Sequence, residues 1–491
     1  MVECREAVYR NHPFPTMQKI YQNPSNLEKV AKAQYSIPPF LMMENAARAL
    51  ADFILDFAPE TVLILCGKGN NGGDGYALAR LLQNKCQVSI ISIEAPAAEE
   101  AKAQYEMCRL LGLEASSSLE LPEEATIIVD CIYGTGFHGQ LPENVKKLLD
   151  EANKSPAIKI ACDISSGLYF KADYTITMGC QKLSLYSDTA KEASGKIIVA
   201  DLGIAREKFE SQSNIYLIDP DDRQLPLRKN RAFHKGRFGH TAVMCGDKAG
   251  AAILAASAAM NFGSGLTSLV KTPESKLEQF KLSPSLMISD SLPQKTSCVS
   301  LGSGFSSYPA GAASMLLEWF NSSKTQSPAA VLDAGILTAP ETPELLANLN
   351  KVENARIILT PHLSELSRLL ELCKAEGDVS VKALAENPEA KVAAGNFLTK
   401  MFPKSTIIMK SANTFIACAG QTYIVTDGAQ SLAKGGSGDI LAGLAASLLA
   451  QGYTALSAAI TAAEHHALLS KELGSEAYNL TPEKLLEKIL C

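Results

Sequence analysis

The sequence has no excess of charge of one sign: 46 Lys and Arg face 52 Asp and Glu, for a net charge of −6. Nothing in that balance would draw the chain to nucleic acid or to anionic lipid. A leader is also missing from the reading, because MVECREAVYRNHPF carries charges throughout and has no apolar core, so export by a signal peptide is not expected. The longest greasy stretch, Ile440 to Ala463, is interrupted by Gln451 and Gly452 and reads as two buried helical segments rather than a membrane span. Twelve cysteines lie at 4, 66, 86, 108, 131, 162, 180, 245, 298, 373, 418 and 491, with no CxxC pair matched by a second pair or by histidines. That spacing excludes a zinc cage. Cys66, Cys131, Cys162 and Cys245 sit in or beside apolar runs, where a small buried thiol is the simplest reading, and a reducing cytoplasm is the expected location.

What is present is enough chain for two cores. Single cores stop growing near roughly 250 to 300 residues, and this chain has 491, with 46% hydrophobic and 20% charged residues, close to a globular average. Short β-rich runs (61 to 66, 88 to 93, 126 to 130, 158 to 163, 173 to 178) alternate with helical patterns at 40 to 57, 75 to 83 and 97 to 111. Continuous apolar strands alternating with helices imply a parallel sheet covered on both faces. The pattern breaks over Asp219 to Phe238, and the domain boundary is drawn there, at 225/226. A second series follows, with strands at 241 to 245, 299 to 301, 330 to 333, 356 to 359 and 406 to 409 and Ala-rich helices at 250 to 262 and 440 to 450. The expected fold class is α/β: two tandem three-layer αβα domains of different kinds, 1–225 and 226–491.

In the first domain a strand, TVLILC, runs into GKGNNGGDGYALARLL, a glycine-rich turn opening a helix. Such a turn exposes backbone N–H groups and aims a helix N-terminus at an anion. Asn70, Asn71 and Asp74 add side-chain oxygens. Asp130 ends a second strand ahead of a GTG loop, and Asp163 and Ser166 follow a third. In open parallel sheets the ligand crevice lies beyond the carboxyl ends of the strands, so these three loops should converge. Asn71, Asp130 and Ser166 offer neutral or carboxylate oxygens, which suit a hard cation. Turn or cap roles for Asp130 and Asp163 remain alternatives.

LMMENAARAL at 41 to 50, NNGGDGYALAR at 70 to 80, DCIYGTGFHGQ at 130 to 140 and DISSGL at 163 to 168 resemble the YjeF N-terminal family, the Rossmann-like epimerases of hydrated NAD(P)H. The resemblance implies that Asn70, Asn71, Gly72, Gly73 and Asp74, with Gly134, Thr135, Gly136, Phe137, His138, Gly139 and Gln140, embrace the hydrated dinucleotide. It further implies that Asp163 contacts the nicotinamide-derived ring and that a potassium ion sits on Asn71, Asp130 and Ser166. Asp163 is the candidate acid/base, because exchanging epimers requires breaking and remaking a C–O bond. Two departures stand out: Ser165 where the family has Pro, and a shortened segment after Gly167.

In the second domain LTPHLSEL carries His362, IIMK ends at Lys410, and LAKGGSGDILAGLAASLLA places Asp439 in the first turn of a helix opened by Gly435, Gly436 and Gly438. Exposed amides and the helix dipole make an anion pocket, and a carboxylate there can take a proton from a hydroxyl attacking a phosphoryl group. A plain helix-start carboxylate is the competing reading of Asp439. HKGRFGH at 234 to 240, GDKAGAAILAASAAMNFGSGL at 246 to 266, LGSGF at 301 to 305, VLDAGIL at 331 to 337, LTPHLSEL, KSANT and KGGSGDILAG resemble the ribokinase-like YjeF C-terminal family, the ADP-dependent dehydratases of hydrated NAD(P)H. By that resemblance Lys410, Ser411, Ala412, Asn413, Thr414 and Gly438 contact the nucleotide, and Ala251, Gly304, His362 and Asp439 line the hydrate pocket. Asp439 is the base, ADP the co-substrate, and Mg2+ the expected counter-ion. Gly335, Ser303 and Ser411 depart from the family pattern.

The expectation is therefore a bifunctional enzyme, with one domain equilibrating the R and S epimers of hydrated NADH or NADPH and the other dehydrating the S form. The partners are these small molecules, with no nucleic acid and no membrane, in a homo-oligomer. The alternative is a ribokinase-like vitamin or sugar kinase with a non-catalytic N-terminal binding domain.

Overall fold

A computed structural model describes residues 17–122, 124–137, 139–228, 232–322 and 327–489. The N-terminal peptide, Cys4, His138 and Cys491 lie outside the described residues. The chain divides into two compact units between Ser213 and Asn214, earlier than the 225/226 boundary. The reason is a short strand, Ile215–Leu217, which pairs in parallel with Thr422, Tyr423 and Ile424 and so belongs to the second sheet.

The first unit holds a parallel sheet of β1 (Thr61–Cys66), β2 (Gln87–Ser92), β3 (Ala115–Ser116), β4 (Ile127–Cys131), β5 (Ile158–Cys162), β6 (Tyr174–Met178) and β7 (Lys196–Ala200), in the order β3-β2-β1-β4-β5-β6-β7. Four helices matter for the site region: α1 (Pro39–Leu55), α2 (Asn70–Leu82), α3 (Glu99–Leu110) and α4 (Glu143–Lys154). Val62, Ile64 and Cys66 of β1 join a core with Leu50, Ile54 and Tyr76, whereas Leu63 and Leu65 join Val145, Leu148 and Leu149. Side chains that alternate between two buried faces are why the strand reads as one unbroken apolar run. Strand order reverses between β1 and β4, which opens the crevice beyond their carboxyl ends.

Helix α2 begins at Asn70, five residues before the helical pattern read from sequence. Two glycines in its first turn hid the start, since glycine is a poor helix former. Packing demands them: a Cβ on Gly72 would lie 1.9 Å from the Gly67 carbonyl oxygen, and one on Gly73 would lie 2.6 Å from Met43 Cε.

The second unit carries β8 (Ile215–Leu217), β9 (His240–Cys245), β10 (Leu266–Lys271), β11 (Met287–Ser289), β12 (Cys298–Leu301), β13 (Ala329–Leu332), β14 (Arg356–Leu359), β15 (Ser405–Met409), β16 (Thr414–Cys418) and β17 (Gln421–Val425). Their order is β11-β10-β9-β12-β13-β14-β15-β16-β17-β8, parallel except for the antiparallel β15-β16-β17 meander. The helices used below are α5 (Ala249–Asn261), α6 (Leu363–Leu372), α7 (Pro388–Met401), α8 (Ser437–Ala450) and α9 (Ala455–Glu472). The stretch from 440 to 463 is thus two helices, and among the described residues no helix is long and apolar enough to cross a membrane.

Helix α5, the Ala-rich segment, fills its own domain's core through Ala252, Ala255 and Ala256. It packs against α8 so closely that a Cβ on Gly443 would lie 2.2 Å from the Ala255 carbonyl oxygen. Gly443→Val is therefore expected to cost about 2 to 3 kcal/mol by overpacking, seen as an earlier denaturant midpoint for this domain. An unchanged midpoint would show that the two helices separate freely.

Candidate functional sites

In the first unit the loops after β1, β4 and β5 surround a cavity of about 740 Å3. Asn70, Asn71, Asp74, Gly134, Thr135, Gly136, Phe137, Gln140 and Asp163 line it. Gly72 and Gly73 do not: they serve the packing of α2 described above. Gly139 is exposed and outside the lining, and His138 lies outside the described residues. At the rim Tyr133 and Phe137 stack at 4.2 Å between ring centroids, a flat surface of the kind that receives planar rings.

Asp163 sits in the left-handed region at φ 71°, a conformation costly for a non-glycine residue and typical of functional sites. That backbone puts its carboxylate beside Gly134, where a Cβ would meet Asp163 Oδ2 at 3.3 Å and Asn71 Cβ at 3.6 Å. Asp163 Oδ1 accepts from Met178 N at 3.2 Å and from the buried ammonium of Lys182. The sequence reading missed Lys182. Its signal was available as a charged residue four positions after the apolar β6 segment, but charge alone does not reveal that the side chain turns inward. Asp74 is buried beside this pair, and burial pushes its carboxyl up to about 8 against the pull of Lys182.

Asp130 and Ser166 lie behind the cavity wall. Ser166 N donates to Asp130 Oδ2 at 2.8 Å, Ser166 Oγ to Oδ1 at 2.7 Å, and Ile132 N to Oδ1 at 3.1 Å. Burial still raises the Asp130 carboxyl to about 6 despite these three donors. In the cavity lining, beside Gly134, Asn71 is 8% exposed, and neither its amide oxygen nor its nitrogen has a hydrogen-bond partner among the described residues. A buried orphan carbonyl, a desolvated carboxylate and a hydroxyl are donors whose chemistry fits a hard monovalent cation.

The departures have structural uses. Ser165, in place of Pro, donates its hydroxyl to the Phe170 carbonyl and ties down the shortened loop. Ser411, in place of Gly, accepts at 2.6 Å from the fully buried Lys391 of α7 and donates to the Asn413 carbonyl at 2.7 Å.

In the second unit the strand ends gather a charged cluster. Lys410, after β15, reaches Asp333 Oδ1 at 3.0 Å, and Thr360 Oγ1 donates to the same oxygen at 2.6 Å. A Cβ on Gly438 would stand 3.2 Å from Lys410 Nζ, so the ammonium faces the start of α8. No side chain caps that helix start, where Gly436 adopts φ 94°. Its amides are left for an anion.

Asp439 is half-buried in this first turn. Burial, with Asp333 and Glu365, raises its carboxyl to about 6, against the hydroxyl of Ser303 and the charge of Lys410. Burial opposes the Lys410 ammonium, but Asp333, Glu365 and Asp439 together win and hold it charged, with its pKa raised. His362 pairs with Lys410 across a parallel bridge, Lys410 N donating to the Pro361 carbonyl at 2.8 Å. The His362 ring is exposed; its Nδ1 caps α6 by accepting from Glu365 N at 3.2 Å, while Glu365 accepts from His362 N at 2.9 Å.

Ala251 and Gly304 are neighbours, a Cβ on Gly304 coming within 3.2 Å of Ala251 Cβ. Through Ser303 they adjoin Asp439. The sequence reading noted Glu365 three residues after His362 but gave neither it nor Asp333 a role, yet Asp333 directly follows strand β13 and carries the same strand-end signal that marked Asp130 and Asp163. No group of three or more His, Cys, Asp or Glu side chains among the described residues is arranged to hold a metal ion.

Comparison with known proteins follows the same division. The model of the YjeF-related protein N-terminus matches residues 40–184, and that of NAD(P)H-hydrate dehydratase matches residues 241–490. The bifunctional NAD(P)H-hydrate repair enzyme of Helicobacter pylori is 36% identical over 488 residues, spanning 96% of this chain and 99% of that protein. The enzyme of the same name from Moorella thermoacetica is 30% identical, spanning 87% of this chain and 86% of its own. Among solved structures, an ADP/ATP-dependent NAD(P)H-hydrate dehydratase from Bacillus subtilis, co-crystallized with ATP/Mg2+, is 22% identical with a TM-score of 0.43, over 53% of this chain and 91% of that one. Relatives matched across both domains favour the repair reading over a kinase with an inert N-terminal module. By the two family models and these relatives matched over both domains, the chain belongs to the family of bifunctional NAD(P)H-hydrate repair enzymes.

Proposed function

We propose that the first domain interconverts the R and S forms of hydrated NADH or NADPH and that the second dehydrates the S form at the expense of ADP. The observation that carries the reading is Asp439: a half-buried carboxylate at an uncapped helix start, facing Lys410 and flanked by Asp333 and Glu365. With a pKa near 6 it is mostly ionised at neutral pH and suited to take a proton.

Asp439 removes the proton of the ring hydroxyl as the nucleotide's terminal phosphoryl group transfers to that oxygen. The ring nitrogen's lone pair then expels phosphate, and loss of a proton from the adjacent ring carbon restores the dihydropyridine. Phosphorylation turns a poor leaving group into a good one. Lys410 and the open amides of α8 receive the phosphates, the loop from Lys410 to Thr414 receives the rest of the nucleotide, and Ala251, Gly304 and His362 border the hydrate. Magnesium is expected as counter-charge travelling on the nucleotide.

In the first domain Asn71, Asp130 and Ser166 would hold potassium, which would offset the buried Asp130 charge and fix the loops around the substrate. Asn71→Ala is expected to raise the potassium concentration for half-maximal epimerisation about 10- to 100-fold. Equal potassium dependence in mutant and wild type would remove Asn71 from the set. The protein acts in the cytoplasm and as a homo-oligomer, the latter checked by light scattering.

The whole reading is tested by incubating the full chain with both hydrate epimers, magnesium, and ADP or ATP. Recovery of the reduced-nicotinamide absorbance from the entire mixture is expected, more readily with ADP. A stable phosphorylated alcohol in its place would mean a kinase, and recovery of only half the mixture, at the buffer's own epimerisation rate, would mean an inert first domain.

A further inference from the structure

The assignment of Asp163 as acid/base leaves a proton unaccounted for. Expelling a hydroxyl from the ring carbon requires an acid, and a carboxylate already ion-paired with an ammonium carries no proton to give. The structure places a donor beside it. Lys182 is 4% exposed, lies in the cavity wall, and directs its Nζ to Asp163 Oδ1. Its backbone is fixed by the pairing of Gln181 and Lys182 with Ile20 and Tyr21. Lysine ordinarily extends its charged end to water, and burial against a cavity that also contains Asp74 and Asp163 is not explained by packing.

We propose that Lys182 is the general acid of the epimerase domain, protonating the departing ring hydroxyl, with Asp163 taking the proton of the water that returns on the opposite face. This rests on the reading of the first domain as a hydrate epimerase. In the first step the Nζ–H proton passes to the hydroxyl, the C–O bond breaks, water leaves, and the ring nitrogen's lone pair forms an iminium. Lys182 is then neutral. Water adds to the other face of the iminium carbon and loses a proton to Asp163. The Asp163 carboxyl returns that proton to Lys182 across their hydrogen bond, restoring both groups. No oxidant, reductant or second substrate is needed.

The surroundings suit the role. Burial brings the Lys182 ammonium down to about 8, although Glu28, Cys162 and Asp74 oppose the shift. A weaker hold on the proton makes it a better acid near neutrality than an exposed lysine. The charged and titratable groups around Lys182 are Asp163 after β5, Asp74 on α2, Glu28 on the helix Ser25–Tyr35, and Cys162 at the end of β5. Of these, Asp74 is the rival donor, because its carboxyl is also held protonated up to about 8.

The test uses the full chain without nucleotide, so the dehydratase is silent, and follows one purified hydrate epimer by chromatography. Lys182→Arg keeps the positive charge beside Asp163 but cannot release a proton at these pH values. It is expected to lower epimerisation about 100-fold or more while hydrate affinity, by calorimetry, changes less than about threefold. Epimerisation within about threefold of wild type would overturn the proposal, leaving Lys182 a charge that merely positions Asp163.

The wild-type rate should also fall as pH rises through about 8, and this does not depend on the Arg variant folding. That limb should persist in Asp74→Asn. If it disappears there, Asp74 is the proton donor and Lys182 is not. Wild-type conversion above the buffer rate is the separate control on the domain reading, and its absence would remove both claims.

Discussion

Asp439→Asn is expected to lower dehydration about 1000-fold, near 4 kcal/mol in transition-state free energy, while nucleotide affinity stays within a few fold. The amide keeps the size and polarity of the side chain, so the uncapped start of α8 and the Lys410 ammonium remain in place for phosphate. What it loses is the capacity to accept the hydroxyl proton. The same residue sets the acid limb of the reaction. Asp439 must be ionised to act, and its carboxyl is raised to about 6, chiefly by burial. Dehydration should therefore be level at neutral pH and fall about tenfold per unit below 6. A mutant with unchanged turnover, or a wild type insensitive to pH between 5 and 7, would reduce Asp439 to a helix-start residue.

Lys410→Met is expected to lower kcat/KM for the nucleotide about 100-fold and to move the acid limb to higher pH. The ammonium is the positive centre among Asp333, Glu365 and Asp439. Without it the three carboxylates repel one another, Asp439 holds its proton more tightly, and Asp333 keeps only the Thr360 hydroxyl on its buried oxygen. Phosphate also loses its counter-charge. Activity measured against pH separates the two effects: a lower plateau with an unmoved limb would mean that Lys410 binds nucleotide but does not tune the base. If both stay as in wild type, the cluster is a structural ion-pair network and the catalytic reading of this corner of the fold is wrong.

Much of the architecture was legible because strands buried on both faces are unbroken apolar runs. TVLILC, TIIVD and RIIL announce themselves, and a parallel sheet then dictates that the loops beyond their carboxyl ends converge. The glycines of NNGGDG and GGSGD were legible as turns but not as to purpose. In α2 they relieve contacts with Gly67 and Met43, and neither Gly72 nor Gly73 is in the cavity lining. The start of α2, and the division into units between Ser213 and Asn214 instead of at 225/226, differ from the sequence reading for a related reason: local propensity shows neither the closeness of helix and strand nor the pairing of Ile215–Leu217 with a strand some 200 residues later in the chain.

By itself the sequence determined the two α/β halves, the strand-end position of Asp130 and Asp163, and the helix-start position of Asp439. These follow from periodicity and from neighbours along the chain. Only the tertiary structure decided which side chains share charge. Lys182 meets Asp163, and Lys410 meets Asp333, through contacts between separate strand ends. Burial, which moves Asp74, Asp130 and Asp439 toward neutrality and Lys182 toward acidity, exists only once the layers close over them. Spacing can nominate a residue for chemistry, but proton affinity depends on desolvation and on partners distant in the chain.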